Sequence, residues 1–432
     1  MPFAAFDLHK KMVEAILLSD SGSVELRLRF PTTRTELLKF AKKHLTKNHV
    51  LAVEATFNTW PVVELITPFV KEVVISNPMR TRAIAEAKIK TDKVDAFVLA
   101  NLLRLDFLPR VWQPDPATQL ARRNTTERAV LTSDRTRIKN RIHAILHQRL
   151  LEPPAKDLFS KPGLLWLTVV TMDEQGRKAL DRQLRLLAHL DGELQDVHDQ
   201  MAQHAHGNPQ VKLLMTLPGV DFAVAETVMA ALGDITRFPS ADRAAAYLGL
   251  VPSTRQSGEH CYHGPITKQG RSHARWMLVQ AAQQMGDNPG PLGVFFRRIA
   301  KRKNRNVAVV ATARKLVTIA WHMLKNNEPY RYSIPSTTEA KFARLRIKAT
   351  GERKKSGNAK GAGRPEGYGS GVKTKAVPAL KQVYAANHLP AVQELKPGEK
   401  VVLEREGLTQ FAVEINTPKR VPKKKAPVTD TE

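Results

Sequence analysis

The chain has little cysteine and no long hydrophobic run. Cys261 is its one cysteine in 432 residues, which excludes an intramolecular disulfide framework and a Cys-x-x-Cys zinc site and favours a reducing cytoplasm. The longest apolar stretch, "GLLWLTVVTM" at 163–172, is well short of the roughly 20 residues that span a bilayer. The start, "MPFAAFDLHKK", has no basic segment ahead of an apolar one, so we expect neither export nor a membrane partner.

Acidic residues are also scarce relative to basic ones. The chain has 68 Lys and Arg against 41 Asp and Glu, a formal net charge of +27. An excess this large favours a polyanion as the partner, and nucleic acid first of all. Hydrophobic residues make up 42% of the chain, enough to form cores, and the length suits roughly two or three domains.

The first 112 residues alternate short apolar runs with helical patterns. Residues 3–30 are expected to form two or three strands joined by polar turns, and "HVLAVEAT" and "EVVISNP" are expected to form later strands. Helical patterns separate and follow these later strands. The sequence therefore predicts an α/β domain over 1–112.

The rest of the chain predicts mainly helical structure. Residues 113–208 are charged and helix-forming, which predicts a pair of long helices able to form a coiled coil. Residues 209–332 begin with "LPGV" before an alanine-rich helix, typical either of a helix-hairpin-helix unit that offers N–H groups to a phosphate or of a plain tight connection. Residues 333–432 are rich in Lys, Gly, Pro and Ala, which predicts a basic, largely disordered tail with one apolar hairpin, "EKVVLEREGLTQFAVEI".

Two carboxylates interrupt an apolar helical pattern in "KIKTDKVDAFVLANLLRL". The periodic apolar residues are Val94, Phe97, Val98, Leu102 and Leu105. Their spacing places Asp95 inside the apolar arc and Asp92 at its edge. A buried carboxylate needs a proton, a basic partner or a metal. Alternatively, Thr91 caps the helix and both acids only complement its dipole.

Two further carboxylates follow apolar strands. Asp7 ends "FAAF" and Glu54 ends "VLAV", and the ends of parallel strands are where sites are built. If these strands are neighbours, Asp7, Glu54, Asp92 and Asp95 can converge and bind two Mg²⁺ ions, as two-metal phosphodiester cleavage requires. A basic protein with an acidic metal pocket is expected to be a nuclease or a phosphoryl-transfer enzyme.

These motifs resemble a known family. "FDLHK", "AVEAT" and "KIKTDKVDAFVLANLL" resemble the D, E, D, D elements of the RuvC-like domain in the DEDD insertion-sequence transposases, the bridge-RNA-guided recombinases. The resemblance implies a ribonuclease-H-like fold in which Asp7, Glu54, Asp92 and Asp95 are catalytic metal ligands. It further implies DNA cleavage and rejoining, a structured guide RNA, a dimer or tetramer, and a cytoplasmic, nucleoid-associated location.

A second motif lies in the other half of the chain. "GLVPSTRQSGEHCYHGPITKQGRSHARWMLVQAA" is similar to the family's C-terminal transposase motif. The matching positions are Pro252, Ser257, Gly258, Gly264, Ile266, Lys268 and Gly270. The resemblance implies that Ser257 is the nucleophile that becomes joined to a DNA end. Without the resemblance, a Ser-Gly pair indicates only an ordinary turn. Ser253, in the same predicted loop, is the alternative candidate for the nucleophile.

Basic residues cluster around and beyond this serine. Between Arg297 and Lys315 there are eight Lys or Arg and no acid. The expected nucleic-acid contacts are Arg255, Lys268, Arg271, Arg275, Arg297, Arg298, Lys301, Arg302 and Lys303. We interpret His9, His260 and Cys261 as ordinary loop or packing residues. Two other functions stay open: a RuvC-like junction resolvase or nuclease that uses water, and a non-catalytic nucleic-acid-binding protein with structural carboxylates.

Overall fold

A computed structural model describes residues 2–84, 91–154, 156–352 and 374–422. The chain divides into two compact units, Met1–Asp115 and Pro116–Glu432. The N-terminal unit is a mixed α/β structure and the second is mostly helical, as the sequence predicts.

The N-terminal unit contains a five-stranded sheet with the order β3-β2-β1-β4-β5. Its strands are β1 (Phe3–Leu8), β2 (Met12–Leu18), β3 (Val24–Pro31), β4 (Val50–Glu54) and β5 (Glu72–Ser76). The first three strands form an antiparallel meander, whereas β4 runs parallel to β1 and β5 parallel to β4. The strands that carry Asp7 and Glu54 are therefore neighbours, which was the condition for the predicted site.

Helices cover both faces of this sheet. They are α1 (Arg34–His44), α2 (Thr59–Ile66) and α4 (Asp92–Arg104), whereas the remaining helix, α3 (Pro78–Ile84), buries none of its residues. Side chains alternate between the faces along each strand. Phe6, Val53 and their neighbours pack with α1 and α2, whereas Phe3, Ala5 and Ala52 pack with α4. Asp7, two residues beyond Ala5, belongs to the α4 face.

The predicted apolar arc of α4 is wrong in its position around the helix. The buried residues are Ala96, Leu99, Ala100 and Leu103, whereas Leu105 is 53% exposed. Two of these four residues are alanines, and their small side chains let the helix lie close to the sheet. Asp95 is consequently half-buried at the helix start and does not lie inside the apolar arc.

The second unit begins with two long helices that run antiparallel. These are α5 (Pro116–His147) and α7 (Glu174–Gly207), with α6 (Lys161–Val169) between them. Arg128 donates to His198 Nε2 at 2.7 Å near one end, and Arg149 pairs with Asp173 near the other. The predicted pair of long helices is present.

Shorter elements follow and share one large core. They are α8 (Pro209–Met215), α9 (Phe222–Leu232), α10 (Ala241–Tyr247), β6 (Pro252–Ser257), β7 (His260–Ile266), α11 (Ser272–Gln283), α12 (Pro291–Arg302) and α13 (Arg305–Asn326). The last turns of α7 contribute to that core through Val197 and Met201. By length and composition α13 is apolar enough to cross a membrane, but 56% of its apolar stretch is buried within the fold. It packs there as a core helix.

The prediction of a largely disordered tail over 333–432 is wrong for the described residues. They form α14 (Pro335–Thr350), β8 (Thr374–Val377), α15 (Leu380–Ala385), α16 (Pro397–Arg405), α17 (Thr409–Ile415) and β9 (Lys419–Pro422). Tyr384 is fully buried and donates to the carbonyl oxygen of Tyr330 at 2.6 Å. The segment predicted as an apolar hairpin is α16 and α17. Average composition hides the few large apolar residues that anchor these helices to the core.

Candidate functional site

Asp7 and Glu54 lie side by side at one edge of the N-terminal sheet. Phe6 pairs with Val53 in the parallel β1–β4 register, so the next residue on each strand is one of these acids. Each lies two residues beyond a residue that packs on α4, Ala5 or Ala52, and therefore points to the same face of the sheet. Asp7 is 9% exposed and Glu54 is half-buried.

The start of α4 brings the other two acids to this face. The Thr91 hydroxyl caps the helix by accepting from Val94 N at 3.3 Å, and Asp95 N donates to Thr91 O at 2.9 Å. The cap that the sequence offered as an alternative is therefore real. It does not compete with a site, because it fixes Asp92 and Asp95 in the first helical turn.

His9 connects two of these carboxylates. Its Nε2 atom is 3.1 Å from Asp7 Oδ2 and 3.3 Å from Asp92 Oδ1. Arg29 Nη2 lies 3.6 Å from the other oxygen of Asp92. Ligand atoms of Asp7, His9 and Asp92 all lie within 4.8 Å of one another, a spacing that suits a metal ion. The sequence interpretation of His9 as an ordinary loop or packing residue does not foresee this contact.

The charges around Asp7 favour a cation. Burial raises the pKa of the Asp7 carboxyl, contact with His9 opposes this, and the nearby charges of Asp95 and Asp92 raise it further. Asp95 therefore acts on Asp7 electrostatically, and the carboxylates repel one another. Carboxylate oxygens are the ligands that Mg²⁺ prefers. The donor set fits a hard divalent cation.

Glu14 is a further acid that sequence reasoning missed. It pairs with Asp7 across the antiparallel β1–β2 register and is 5% exposed. Partners across a ladder point to the same face, so Glu14 extends the acidic row from Glu54 through Asp7. The signal was visible in "KMVEAILL", where one acid interrupts an apolar strand.

Ser257 lies at the tip of a β-hairpin, and the expected loop is in fact strand and turn. It ends β6 and pairs with His260 of β7 across a turn of Gly258 and Glu259. Gly258 has φ +57, which suits the first central position of a tight hairpin turn. Ser257 is exposed. The glycine that follows it is therefore required by the turn, as the sequence indicated.

The base of this hairpin is attached to the end of α10 and to the residues that connect α10 to β6. Thr267 N donates to Val251 O at 2.9 Å and Lys268 N to Gly249 O at 3.1 Å. Gly270 has φ +74, and a Cβ atom there would overlap the carbonyl oxygen of Tyr247. The Lys-x-Gly part of the motif thus holds the hairpin in place.

The rival serine has a structural contact. Ser253 is half-buried, and its hydroxyl donates to Pro265 O across the hairpin at 3.2 Å. Thr254 Oγ1 lies 3.0 Å from His263 Nδ1 in the same hairpin. Ser253 therefore braces the base of the hairpin, whereas Ser257 is presented at its tip.

The expected nucleic-acid contacts differ in availability. Arg275 donates to Leu248 O at 2.9 Å and Gln269 O at 3.1 Å, and Arg297 donates to Gly286 O and Asn288 O. The guanidinium groups of these two arginines are thus engaged by backbone carbonyl oxygens. Arg298 is paired instead with an acid, with Nη1 3.7 Å from Glu406 Oε1. Arg297 and Arg298 are nevertheless exposed, as are the expected contacts Arg255, Lys268, Lys301, Arg302 and Lys303. Arg271 is half-buried beside Tyr247.

The "LPGV" turn joins α8 to α9, with Gly219 at φ +71. Asp221 caps α9 by accepting from Val224 N at 2.9 Å. Lys341 donates to Leu217 O at 2.7 Å and Val220 O at 3.0 Å. The carboxylate at the helix start takes one of the N–H groups that a phosphate would use, which favours the tight connection over the phosphate-binding turn.

Comparison with known proteins finds two family models that match this chain. One, described as "Transposase" of the DEDD IS110 type, matches residues 4–150. The other, described as "Transposase IS116/IS110/IS902 family", matches residues 211–288. The first match contains all four predicted metal ligands, and the second contains the serine hairpin.

Similar curated proteins come from several bacteria. A "Putative transposase y4qE" of Sinorhizobium fredii is 27% identical over 318 residues, 72% of this chain and 76% of that protein. The "Transposase for insertion sequence element IS1111A" of Coxiella burnetii is 26% identical over 208 residues, 46% of this chain and 57% of that protein. A "Pilin gene-inverting protein" of Moraxella bovis is 27% identical over 292 residues, 65% of this chain and 81% of that protein.

Proposed function

The chain is a DNA-cleaving and rejoining enzyme of the IS116/IS110/IS902 family of transposases, and we propose how its residues perform that reaction. Asp7, Glu54, Asp92 and Asp95 would hold two Mg²⁺ ions. The Ser257 hydroxyl oxygen bonds to the phosphorus of the scissile phosphate while the P–O bond to the adjoining deoxyribose breaks; the serine proton passes to solvent and the released deoxyribose oxygen takes up a proton. In rejoining, the hydroxyl of a strand end attacks the phosphoserine and releases Ser257 again. The two matched segments together cover more than half of the 432 residues.

The contact of His9 with two carboxylates carries the metal proposal. An imidazole nitrogen lies within 3.3 Å of both Asp7 and Asp92. A polar group that bridges two acids occupies the position where a cation relieves their repulsion. When bound, divalent ions supply charge that stabilises the attacking and leaving oxygens of a phosphodiester. Asp7 and Glu54, held on adjacent strands, fix the position of that charge.

The shape of the hairpin supports the serine proposal. A tight turn presents the Ser257 hydroxyl to solvent, and Arg255 is exposed two residues earlier on the same strand. Residues two apart in a strand point to the same side. Arg255 can therefore hold a phosphate beside the hydroxyl. A serine needs such polarisation of its target, or loss of its proton, to react at neutral pH.

The partners follow from the family. We propose that the DNA substrates are element ends and a target, that a structured RNA guides the choice of target, and that the chain acts as a homo-oligomer, a dimer or tetramer, at the nucleoid in the cytoplasm. We also propose that the N-terminal unit has a ribonuclease-H/RuvC-like fold. The strand order β3-β2-β1-β4-β5, with a meander followed by parallel strands, supports this.

Reconstitution tests the whole proposal. Purified protein is incubated with DNA carrying the element ends, the candidate RNA and Mg²⁺, and recombinant junctions are sequenced. We expect junctions that require all three components and vanish in EDTA. Cleavage without a covalent protein–DNA adduct would instead support the nuclease that uses water. Junctions formed without RNA would contradict guidance and leave the metal proposal intact.

A further inference from the structure

Phe57 is a large apolar side chain that the N-terminal unit leaves in solvent. It lies three residues beyond Glu54, in the loop between β4 and α2, and is 74% exposed. Three residues of chain span at most about 11 Å, so Phe57 lies close to one of the predicted metal ligands. On the next strand, Ser76 pairs with Glu54, and Met79, three residues beyond Ser76, is 72% exposed. Two apolar side chains are therefore exposed at the sheet edge that carries the acids.

Hydrogen bonds fix the backbone on both sides of Phe57. The hydroxyl of the buried Thr59 accepts from Thr56 N at 2.7 Å and donates to Glu54 O at 3.0 Å. The hydroxyl of Thr56 donates to Asn58 Oδ1 at 2.7 Å. These bonds close a turn between the end of β4 and the start of α2. A side chain on a backbone fixed in this way loses little conformational freedom when it contacts a ligand.

The same loop contacts the turn that carries His9. Asn58 Nδ2 donates to His9 O at 3.4 Å, and the His9 ring bridges two of the carboxylates. Lys10 and Lys11 follow His9 and are exposed. An aromatic ring next to cations is the combination that binds a single nucleic-acid strand, because the bases stack on the ring and the phosphates contact the cations.

Exposure alone does not indicate a ligand, because single apolar side chains are common on protein surfaces. Phe107 of the same unit is 66% exposed. It follows the far end of α4, whose first turn carries Asp92 and Asp95. A helix of 13 residues is about 20 Å long, which separates Phe107 from the acids. The position of Phe57 and the attachment of its loop to the His9 turn distinguish it from Phe107.

We propose that Phe57 stacks on an unpaired base of the DNA strand whose scissile phosphate lies at the predicted metal site. The stack holds the strand in place, so Phe57 is a binding residue for cleavage. We assign the ring to DNA because the family cleaves and rejoins DNA. Every base has a π face, so the stack is tolerant of sequence. This inference rests on the proposed function, which brings the strand to these acids.

Photochemical crosslinking tests the stack directly. Single strands of DNA from the element end, with one thymine at a time replaced by 5-iodouracil, are bound to the full-length chain in Mg²⁺ and irradiated, because this base bonds to an aromatic ring stacked on it. Peptide mapping should place a label on Phe57. Phe57→Tyr and Phe107→Ala should keep the label at position 57, and Phe57→Ala should lose it. Labels on other exposed aromatic residues, such as Tyr262, with none on Phe57 would overturn the inference.

Affinity shows whether the base itself is the partner. The strand is prepared complete and with an abasic nucleotide at the crosslinked position, which keeps its charge. Phe57→Ala should bind the complete strand roughly tenfold more weakly than the wild type, as expected for one stacked base, and the abasic strand equally well. Phe57→Tyr should keep the affinity and Phe57→Leu should not, because only Tyr has a ring. The slope of log affinity against log salt should not change, because no charge is removed.

Equal affinity of the wild type and Phe57→Ala for the complete strand would overturn the stack, as would an equal loss on the abasic strand. An RNA strand of the same sequence forms a second arm. A label on Phe57 from RNA and not from DNA would overturn the assignment to the DNA substrate. Circular dichroism and the Tm of each variant confirm that it is folded, and Phe57→Ala should match Phe107→Ala in both.

Asp95→Asn separates this inference from the proposed function. The variant is expected to lose cleavage but keeps Phe57 and its loop, so the label on Phe57 should persist. If Asp95→Asn cleaves normally, its metal role fails, and a label on Phe57 still supports the stack. If Asp95→Asn does not cleave and the wild type shows no label on Phe57, the metal role is supported and the stack is overturned.

Discussion

The Nε2 atom of His9 lies 3.1 Å from Oδ2 of Asp7. This contact joins the residue after β1 to a nearly buried acid within it, and the same nitrogen reaches Asp92. The imidazole and a metal ion compete for the same carboxylate oxygens. Metal binding at this site is therefore expected to displace the His9 contact and to stabilise the protein, which leads to the first prediction.

Asp7→Asn should separate folding from metal binding. Burial raises the pKa of Asp7, so without metal this carboxyl contributes most to stability below its unfolded pKa of about 4. That contribution to the free energy of unfolding is lost as pH rises through the folded pKa. Asn does not titrate and removes that dependence. Urea unfolding in EDTA at several pH values measures it.

Added Mg²⁺ completes this test. At 100 times its Kd, a ligand that binds only the folded state raises the free energy of unfolding by about 2.7 kcal/mol. The wild type should gain this and Asp7→Asn much less, because an amide cannot supply the charge. If Mg²⁺ raised the free energy of unfolding of the wild type and of Asp7→Asn equally, Asp7 would not be a ligand of the metal.

Asp95→Asn should abolish strand cleavage in Mg²⁺ without unfolding the protein. Asn is nearly isosteric with Asp, and the Thr91 cap that starts α4 stays intact. The matched control is Asp106→Asn just past the other end of α4, where φ is +55, a conformation that Asn tolerates. Normal cleavage by Asp95→Asn on a gel would exclude its metal role.

The four acids were predictable because each lies at a defined point of a strand or helix. Asp7 and Glu54 follow apolar runs, and Thr91 marks the helix start. The buried face of α4 was not predictable in the same way. Ala96 and Ala100 carry little hydrophobic signal, yet they pack on the sheet because they are small, while the larger Leu105 is exposed. His9 was missed because its partner Asp92 is more than 80 residues away in the chain.

Tyr384→Ala should destabilise the second unit, because the tail is part of its core. Loss of a fully buried aromatic side chain costs about 3–5 kcal/mol, and Tyr384→Phe, which loses only the hydrogen bond to Tyr330, about 1 kcal/mol. Tyr262→Ala is the control on an exposed position, expected within about 0.5 kcal/mol of the wild type. If Tyr384→Ala unfolds in urea like this control, the tail does not stabilise the unit.

The packing of Tyr384 also explains why the prediction of a largely disordered tail is wrong for the described residues. A disordered basic tail would contribute only phosphate contacts. Leu380, Val383 and Tyr384 instead pack in the same core as α8 and α13. Local composition averages over many Lys and Gly residues and cannot show that a few apolar side chains have partners far away in the chain.

Gly270→Ala should destabilise the base of the serine hairpin by more than about 1 kcal/mol. Its φ of +74 is unfavourable for alanine, and the new Cβ would overlap the Tyr247 carbonyl. Gly192→Ala is the control. It lies within α7 with nothing within 4 Å of the added Cβ, so it should stabilise by roughly 0.5–1 kcal/mol. Thermal unfolding that ranks the two variants the other way would contradict the structure of this turn.

Ser257→Ala should abolish the covalent protein–DNA adduct. Denaturing electrophoresis of a stalled reaction detects the adduct in the wild type, and peptide mapping should place the bond within "STRQSGEH". The substitution removes one oxygen and no charge, and Ser257 is exposed at the hairpin tip. Binding of DNA and RNA should therefore change little, which separates chemistry from recognition.

Ser253→Ala is the matched control for the nucleophile. Its hydroxyl donates to Pro265 O across the hairpin, so the variant should lose about 1 kcal/mol of stability and keep strand exchange, at a reduced rate if the hairpin moves. An adduct that maps to Ser253 would mean that the other serine of the hairpin reacts. Efficient recombination by Ser257→Ala would exclude a serine intermediate at this position, because the reaction would then have to proceed through a different attacking oxygen.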